Sequence, residues 1–491
     1  MLRLHGEPCG RLTINARRGA LDLRSALERA VHNGSSDSVL SALARRTAEL
    51  GLTSRETRVI PTLWSAAPTP PRSSTSSSLT VAICTRDRPN GVERVLASLA
   101  AGAARDAYEV LVIDNAPTDG RTRTVAQGHA WARYQVQPLA GLDHARNMAL
   151  ELARGAIVAF ADDDVTVDAT WSARVRHLFD ANPELTLLTG LVEPASLATE
   201  AERWFESYGG FGRGYEPRWI FAPGASSRAI AFEYANTGRY GTGANLAVRR
   251  VDALRLGGFD PSLDVGTATR GGGDLEMIFR VLKGEGVVAY APEAMVRHAH
   301  RLTWEELASQ IESWGSGMVA HLTRSARAHA DERLQLRALR TWLYATWFAK
   351  RLALSYAYAP FPRALIQREL RGSFRGSALY AEAAAPFPPP APTPSLHGPR
   401  SPTITRAARR DRMLGVDRGP VLVSGVDRIA FRVRIGDRSL GELVIPAVGG
   451  VIGETRIRDE VATHWQRELL GGDVSTLRRT LWMQLSEGMR S

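Results

Sequence analysis

Short apolar runs alternate with helical periodicity through the middle of this chain of 491 residues. The run from Leu79 to Cys84 precedes a helical pattern over Val92 to Ala101, and a second run follows from Glu109 to Ile113. Another helical segment, about Asp143 to Arg154, leads to a third run from Ala156 to Ala161. Strands that alternate with helices in this way form parallel βαβ units, so the pattern predicts an α/β layer fold.

Three adjacent carboxylates, those of Asp162, Asp163 and Asp164, follow the third apolar run directly. In open α/β sheets ligands bind at the carboxyl ends of the strands, which makes the triplet a candidate site. Because like charges this close repel one another, a cation or a network of donors must neutralise them. Carboxylate oxygens suit Mg²⁺ or Mn²⁺, which would bridge to substrate phosphates. Capping of a helix from Val165 onward is the alternative, and it explains one aspartate but not three.

A series of segments resembles, in order, the motifs of family 2 glycosyltransferases with the GT-A fold, over residues 79 to about 320. The segments are LTVAICTRDRP from 79, VLVIDNAPTD from 110, GLDHARNMAL from 141, AFADDDV from 159, GTGANLAVRR from 241, LGGFDPSL from 256, GGGDLEMIFRVL from 271 and PEAMVRHAHR from 292. Their order is far more specific than the DXD-like triplet alone. The resemblance implies an α/β fold with a Rossmann-like mixed sheet in a central GT-A domain, and the patterns at the two ends of the chain add small α+β flanking units.

The resemblance also implies which residues bind a nucleotide sugar and a metal ion. Asp114, at the end of the second strand, would hydrogen-bond the base or ribose, and Arg146 would lie beneath the diphosphate. Asp164 would bind Mg²⁺ or Mn²⁺ together with a histidine of the last motif, either His298, the first choice, or His300. The predicted donor-binding residues are Thr85, Arg86, Asp114, Arg146, Asp162 and Asp163.

Transfer of a sugar with inversion needs a base that takes the proton of the acceptor hydroxyl, and a carboxylate within hydrogen-bond reach can do so. By the resemblance this base is Asp274, with Glu276 as base or a helix-capping role for Asp274 as the alternatives. The metal would stabilise the leaving diphosphate as a Lewis acid, with help from Arg146 or Arg301. On the acceptor side we expect Gly243, Asn245 and Glu276.

One signature of processive members is changed in this chain. Those members carry Gln-x-x-Arg-Trp on a later helix, whereas residues 310–314 read QIESW, with Ser313 in place of the arginine. Together with the lack of a long uncharged apolar run, this predicts transfer of a single sugar. The loop from Thr85 to Pro89 lacks glycine, which argues against the related nucleotidylyltransferases. The remaining alternative is a non-catalytic carbohydrate-binding or assembly scaffold with a vestigial fold.

Two stretches of low complexity, Pro68 to Ser78 and Ala383 to Pro402, have the composition of linkers. Both end units show a plan of strand, Gly turn, strand and helix, with helical register over Leu23 to Val31 and Ile457 to Trp465. They are either a degenerate repeat or two unrelated amphipathic hairpins. We predict a hairpin-and-helix unit at 1–60, a linker at 61–78, the GT-A domain at 79–330, a helical extension at 331–382, a Pro-rich linker at 383–410 and an α+β unit at 411–491.

Composition limits the compartment and the partners. Two cysteines cannot form a disulfide framework, and the chain begins without the pattern of a secretory signal, so we expect a cytoplasmic protein. The net charge of +11 comes from scattered arginines, which indicate a GC-rich bacterial genome and not nucleic-acid binding. The segment from Thr341 to Pro360 reads as a buried or surface-lying amphipathic helix.

The resemblance and the composition together predict the partners of the protein. The donor would be a UDP-, GDP- or dTDP-sugar, and the acceptor a hydroxyl group on a lipid-linked precursor, a small natural product or a peptide. We expect no nucleic acid, and a peripheral contact with the inner face of a membrane stays open.

Overall fold

A computed structural model describes residues 2–4, 7–11, 36–51, 77–221, 236–357, 362–397 and 407–470. The strands are β1 (Leu2–Leu4), β2 (Glu7–Gly10), β3 (Leu79–Thr85), β4 (Glu109–Asn115), β5 (Ala132–Gln137), β6 (Ile157–Ala161), β7 (Val165–Val167), β8 (Leu185–Pro194), β9 (Arg218–Phe221), β10 (Asn245–Arg249), β11 (Val287–His298), β12 (Ala407–Met413), β13 (Val421–Leu422), β14 (Arg428–Ile435), β15 (Arg438–Pro446) and β16 (Val451–Ile452).

The α-helices are α1 (Ser36–Leu50), α2 (Pro89–Asp106), α3 (Arg121–Gln127), α4 (Leu142–Leu152), α5 (Trp171–Ala181), α6 (Glu200–Tyr208), α7 (Arg250–Arg255), α8 (Gly273–Lys283), α9 (Trp304–Ala328), α10 (Arg333–Trp342), α11 (Ala349–Ala357), α12 (Arg363–Ala384), α13 (Glu454–His464) and α14 (Gln466–Leu469). Short 3₁₀ helices occupy Thr237–Arg239 and Ala330–Glu332, and a π-helical segment occupies Leu343–Phe348.

The central sheet joins a parallel half to a mixed half. Its hydrogen-bonded order is β5-β4-β3-β6-β10-β8-β11-β7, and β9 also pairs with β11. Strands β3, β4, β5 and β6 run parallel, whereas β10 runs antiparallel to both β6 and β8. The predicted α/β fold with a Rossmann-like mixed sheet is confirmed.

Strand β3 shows why an apolar run forms the middle of this sheet. All of its residues are buried, and they alternate between two hydrophobic cores. Val81 and Ile83 face one core, which α2 and α5 cover, while Ala82 and Cys84 face the other, which α4 and α8 cover. A strand covered by helices on both faces needs apolar side chains at every position, which is the pattern that predicted it.

The helical extension packs against the central domain through glycine. A Cβ atom added at Gly315 of α9 would come within 1.9 Å of the Glu369 carbonyl oxygen of α12, and one added at Gly372 would come within 1.9 Å of that of Glu312. Only residues without a side chain allow backbones to approach so closely. The amphipathic segment predicted from Thr341 is helical as far as Ala357. Among the described residues, no helix has both the length and the apolar character to cross a bilayer.

The two ends of the chain share one hydrophobic core. Cys9 of β2 and Leu43 of α1 pack in the same cluster as Phe431 of β14 and Ile457 of α13. The structure thus joins segments that the sequence pattern treated as separate flanking units. The helix expected over Leu23 to Val31 lies outside the described residues, so the proposed repeat stays a prediction.

Candidate active site

The acidic triplet occupies the turn between β6 and β7, at the carboxyl edge of the parallel strands. The segment after the triplet is extended, and its Val165 pairs with His298 of β11. The helix that the triplet could have capped does not form, so the capping alternative is wrong. The three carboxylates must therefore be neutralised by other groups.

Asp163 is held by protein donors. Its Oδ2 atom accepts a hydrogen bond from the Thr85 hydroxyl at 2.7 Å, and its Oδ1 atom accepts one from Arg88 Nη1 at 2.8 Å. Burial raises the pKa of the Asp163 carboxyl, and Arg88 and the Thr85 hydroxyl oppose that rise. Arg86 is exposed, with its Nε atom 3.9 Å from Asp87. Thr85 and Asp163 thus bind each other, and Arg88 contacts the triplet, whereas Arg86, which we predicted to bind the donor, lies beside Asp87.

Asp164 and His298 form the contact best suited to a divalent cation. His298 Nε2 lies 3.1 Å from Asp164 Oδ1, and guanidinium nitrogens of Arg88 and Arg301 lie 3.4 and 3.7 Å from Asp164 Oδ2. Burial opposes ionisation of Asp164, but His298, Arg301 and Arg88 outweigh it and hold the pKa of this carboxyl below its usual value.

The same contact has the separation that two ligands of one octahedral ion require. Ligands about 2.1 Å from Mg²⁺ or Mn²⁺ lie about 3 Å from each other when they are adjacent. The described residues contain no group of three or more His, Cys, Asp or Glu side chains arranged to hold a metal. Asp164 and His298 therefore fit a cation that takes its other ligands from substrate phosphates and water.

A histidine pair decides which ring faces the triplet. His298 Nδ1 lies 3.0 Å from His300 Nδ1, and His300 Nε2 lies 3.1 Å from Glu206 Oε1, so His300 points away from the triplet. Phe211 contacts the His298 ring edge to face at 4.9 Å between centroids, and Phe205 contacts the His300 ring at 4.4 Å. Of the two histidines left open by the sequence, His298 is the one that contacts the triplet.

Asp162 is the least acidic member of the triplet. Burial raises the pKa of its carboxyl to about 8 against the opposing charge of Arg146, and the charges of Asp164 and Asp163 add to the rise. This carboxyl therefore takes up a proton at a higher pH than an ordinary aspartate does. A hydroxyl group that donates a hydrogen bond to it, or a cation beside it, would favour its ionised form.

Arg146 lies at the centre of a buried carboxylate cluster. Its Nη1 atom donates to Asp143 at 3.0 Å and to Asp264 at 2.7 Å, and its guanidinium lies 5.2 Å from the centroid of the Phe259 ring. Burial alone would lower the pKa of Arg146, but the charges of Asp264, Asp143, Asp162 and Asp274 outweigh it and raise that pKa. Because the side chain is only 3% exposed and already paired, the diphosphate contact predicted for Arg146 is replaced by a role in holding these carboxylates.

Asp274 presents a half-buried carboxylate in the first turn of α8. Its Oδ2 atom accepts a hydrogen bond from the Gly243 amide at 2.7 Å, and its Oδ1 atom accepts one from the Leu275 amide at 2.8 Å. Burial, and then the charge of Asp264, raises the pKa of Asp274, while Arg146 and the two amides oppose the rise. The N-cap of α8 is a glycine, so the capping alternative for Asp274 is wrong.

Glu276 is not available to substrate, contrary to its predicted roles as acceptor contact and alternative base. It is 0% exposed, and both of its oxygens accept hydrogen bonds at 2.6 Å from Arg280. Arg324 of α9 lies 2.7 Å away. Although Glu276 is two residues from Asp274, the helical turn directs it into the core.

Asn245 is also a structural residue, contrary to its predicted place on the acceptor side. Its side-chain oxygen accepts a hydrogen bond from the Trp171 indole at 3.0 Å, and its amide donates to the carbonyls of Leu191 and Ala294 at 3.1 and 2.7 Å. Only 3% of the residue is exposed. It ties β10 to its neighbours, and of the predicted acceptor-side residues only Gly243 contacts Asp274.

Asp114, the residue before the last of β4, has one carboxylate oxygen that accepts no hydrogen bond from the described residues. The Tyr134 hydroxyl donates to its Oδ2 atom at 2.8 Å, whereas Oδ1 is buried and has no hydrogen-bond partner among the described residues. Burial raises the pKa of the Asp114 carboxyl, and the Tyr134 hydroxyl opposes this. Asp114 is as buried as Glu276, but both oxygens of Glu276 are paired, whereas Oδ1 of Asp114 still lacks a donor. A buried acceptor without a partner at the ligand edge of a sheet fits a nucleotide N–H or hydroxyl donor.

Sequence reasoning missed several contributors to this site, namely Arg88, Tyr134, Asp143, Glu206 and Asp264. Arg88 could have been found by seeking a cation for the triplet in the loop of the neighbouring strand. Asp143 lies three residues before Arg146 in the same motif, so the helical spacing of the two could have found this pair. Tyr134, Glu206 and Asp264 come from other elements, and no local pattern marks them.

The family comparison covers the part of the chain that holds the first four motif segments. Residues 80–218 match the model of the family described as "Glycosyl transferase family 2". A curated relative from Haloferax volcanii, glucosyl-dolichyl phosphate glucuronosyltransferase, is 27% identical over 120 residues, which are 24% of this chain and 34% of that protein. The match therefore spans about a third of the length of that relative.

Two solved structures are similar to this chain. A mannosyltransferase from Pyrobaculum calidifontis, in complex with GDP-Man and Mn²⁺, has a TM-score of 0.42 at 18% identity and covers 69% of this chain and 98% of its own. S. aureus TarS has a TM-score of 0.36 at 13% identity and covers 62% of this chain and 55% of its own.

Proposed function

We propose that the chain is an inverting, metal-dependent glycosyltransferase with a family 2 domain of the GT-A fold. It transfers a single sugar from a nucleoside diphosphate sugar to a hydroxyl acceptor. The observation that carries the proposal is the contact between Asp164 and His298 at the sheet edge, because it provides two ligands for a cation where the triplet needs neutralisation.

The nucleotide would lie along the carboxyl ends of the parallel strands. The unused oxygen of Asp114 would accept a hydrogen bond from the base or ribose, at the end of β4. Asp162 comes after Asp114 and just before Asp164 in the chain, and it would bind the ribose or the cation. Arg301, with its guanidinium 3.7 Å from Asp164, would contact the diphosphate.

Asp274 is the proposed base. Its carboxylate takes the proton from the acceptor hydroxyl as the oxygen attacks the anomeric carbon, and the sugar–phosphate bond breaks with inversion. The amides of Gly243 and Leu275 hold the carboxylate in place, and its raised pKa makes it a stronger base than an exposed aspartate. A bound divalent cation would act as a Lewis acid that neutralises the departing diphosphate. Arg88 and Arg301 add positive charge on the same side.

Single-sugar transfer is supported by the changed helical signature. Ser313 stands where processive members carry arginine, and its hydroxyl donates to the Ser309 carbonyl of its own helix at 2.9 Å. The neighbouring Trp314 packs on Phe205 and Phe211 beside the histidine pair. This arrangement offers no cationic side chain at position 313 to hold a growing polymer.

A lipid-linked acceptor is the class that the surface of the helical extension favours. The helices of this extension expose more basic than acidic side chains, and they also expose Leu334 and Phe374, which are 77% and 67% accessible. Basic side chains beside apolar ones suit contact with an anionic membrane face. The exposed basic residues of the surface are Arg333, Arg337, Arg340, Lys350, Arg368, Arg371 and Arg375.

Thermal unfolding with nucleotides tests the proposal. We expect UDP, GDP or dTDP to raise the melting temperature in the presence of Mn²⁺, because a ligand that binds only the folded state stabilises it. Asp164→Asn should lose the Mn²⁺-dependent shift, whereas Asp119→Asn, which changes an exposed carboxylate paired with Arg121, should keep it.

The outcome also separates the enzyme from a vestigial scaffold. If none of the nucleotides shifts the wild type, or if Asp164→Asn responds as the wild type does, the metal-dependent donor site is refuted. Binding without turnover in the wild type, with any of the UDP-, GDP- or dTDP-sugars, would favour the scaffold.

A further inference from the structure

A continuous run of side-chain contacts joins the N-terminal segment to the candidate metal ligands. From His298 the contacts lead to His300, then to Glu206, and finally to Arg11. Arg11 Nη1 lies 2.8 Å from Glu206 Oε2 and 3.2 Å from Glu193 Oε2. Arg11 follows β2 directly, Glu206 lies in α6, and the histidines lie at the end of β11 and just after it. Segments far apart in sequence therefore meet behind His298.

The donors and acceptors of this run can be ordered in one direction. Glu206, paired with Arg11, is a carboxylate and can only accept hydrogen bonds. His300 must then donate from Nε2, which leaves its Nδ1 atom to accept from Nδ1–H of His298. The Nε2 atom of His298, which faces Asp164, donates to that carboxylate when no metal is bound. Replacement of this proton by a cation uses the lone pair of Nε2 while Nδ1–H stays on His300, and this is the form of histidine that binds a metal ion.

Packing alone would not select this orientation. Phe211 and Phe205 fix the planes of the two rings, which are 3% and 4% exposed. A ring that turns by half a revolution about its bond to Cβ keeps the same plane but exchanges its nitrogen and carbon atoms. The hydrogen bonds to His300 and Glu206 are what distinguish the two orientations.

We propose that Arg11, Glu206 and His300 are positioning residues that set the tautomer and orientation of His298. The N-terminal segment thereby contributes to the metal affinity of the transferase domain. This inference rests on the metal site of the proposed function and adds a role for a part of the chain that carries no motif. Hydrogen-bond partners behind a ligating histidine typically change metal affinity about 10- to 100-fold when they are removed.

The test measures binding of Mn²⁺ alone to the full-length chain, from the room-temperature EPR signal of free Mn²⁺. We expect His300→Phe, which keeps a ring against Phe205 but removes both hydrogen bonds, to raise the Kd about 10- to 100-fold. Glu206→Ala should raise it similarly, and Glu206→Gln, which keeps an acceptor for His300, should restore part of the affinity. Arg11→Ala should raise the Kd severalfold.

The matched control is His129→Phe. His129 also pairs with a glutamate, since its Nε2 atom lies 3.1 Å from Glu93 on the surface of the domain. It has no contact with the triplet, so the Kd for Mn²⁺ should stay at the wild-type value. A second readout excludes a merely structural effect: in His300→Phe, turnover should recover at high Mn²⁺, with the apparent metal constant raised and kcat close to that of the wild type.

The outcomes distinguish failure of the metal site from failure of the positioning role. If the wild type binds no Mn²⁺, the metal site of the proposed function fails and this inference fails with it. If the wild type binds Mn²⁺ and His300→Phe binds it equally well, only the positioning role is refuted. A normal Kd in Arg11→Ala beside a raised one in His300→Phe would refute the N-terminal contribution.

Discussion

His298 Nε2 lies 3.1 Å from Asp164 Oδ1, and this contact follows from the pairing of β7 with β11. Val165, which follows Asp164 in the chain, is the register partner of His298. The sheet therefore fixes the distance between two side chains that are far apart in sequence. Because both side chains belong to strands or their ends, the contact is present without a ligand to assemble it.

Members of the acidic triplet should respond differently to neutralisation. Asp164→Asn should abolish the Mn²⁺-dependent rise in melting temperature that a bound nucleoside diphosphate gives, because it removes a charged ligand. Asp163→Asn should instead lower the melting temperature without ligands, since Asp163 binds Thr85 and Arg88. Scanning calorimetry with and without Mn²⁺ measures both effects. Equal losses of metal response in the two variants would contradict this division.

Two acidic residues in the first turn of α8 should show opposite phenotypes. Asp274→Asn should lower kcat about 100- to 10,000-fold, the usual contribution of a general base, while donor binding is retained. Glu276→Gln should destabilise the fold by about 3–5 kcal/mol, because it breaks a buried pair with Arg280. Steady-state kinetics and denaturant unfolding separate the two. Full activity in Asp274→Asn would refute the base assignment.

The acid limb of the pH profile should report Asp274. Burial and the charge of Asp264 raise the pKa of this carboxyl, and only its ionised form accepts a proton. We therefore expect kcat/KM to fall, as the pH is lowered, at a higher pH than an ordinary aspartate would give. Asp264→Asn removes the like charge, so it should move the limb to lower pH.

The profile of Asp119→Asn is the control for that shift. Asp119 is exposed and pairs with Arg121, so its replacement should leave the limb in place. If the acid limb of the kcat/KM profile also stays in place in Asp264→Asn, the charge of Asp264 does not raise the pKa of Asp274.

Asp114 should select nucleotides by the donor groups of their bases. Its unused oxygen can accept from the imino N–H of uracil, thymine or guanine, which adenine and cytosine lack. Asp114→Asn should weaken binding of such nucleotides by about 1.5–3 kcal/mol, the value of a hydrogen bond to a charged group. Calorimetric titration of UDP, GDP and dTDP against ADP and CDP measures this. Equal binding of all five would instead favour a contact with the ribose.

The close approach of α9 and α12 should make Gly372 intolerant of a side chain. Its added Cβ would meet the Glu312 carbonyl oxygen at 1.9 Å, so Gly372→Ala must push the helices apart. We expect a loss of about 1–3 kcal/mol in the free energy of unfolding, as for other overpacked sites. Gly120→Ala is the control, because nothing lies within 4 Å of its added Cβ. Equal stability of the two variants would contradict the packing argument.

Several features of this protein could be predicted from the sequence because their cause is local. The buried strands appear as continuous apolar runs, since helices on both faces leave no position for a polar side chain. The triplet follows one of those runs, so its place at the ligand edge of the sheet was also predictable. The same holds for Asp114 at the end of β4.

Only the tertiary structure decided what each polar side chain near that edge contacts. Asp274 and Glu276 lie in the same turn, yet Glu276 faces Arg324 of α9, and no local pattern shows which helix will cover it. His298 and His300 lie two residues apart, and they differ because Asp164 contacts the first whereas Glu206 of α6 contacts the second. Burial of a charged group is stable only with a partner, and here the partners come from distant parts of the chain.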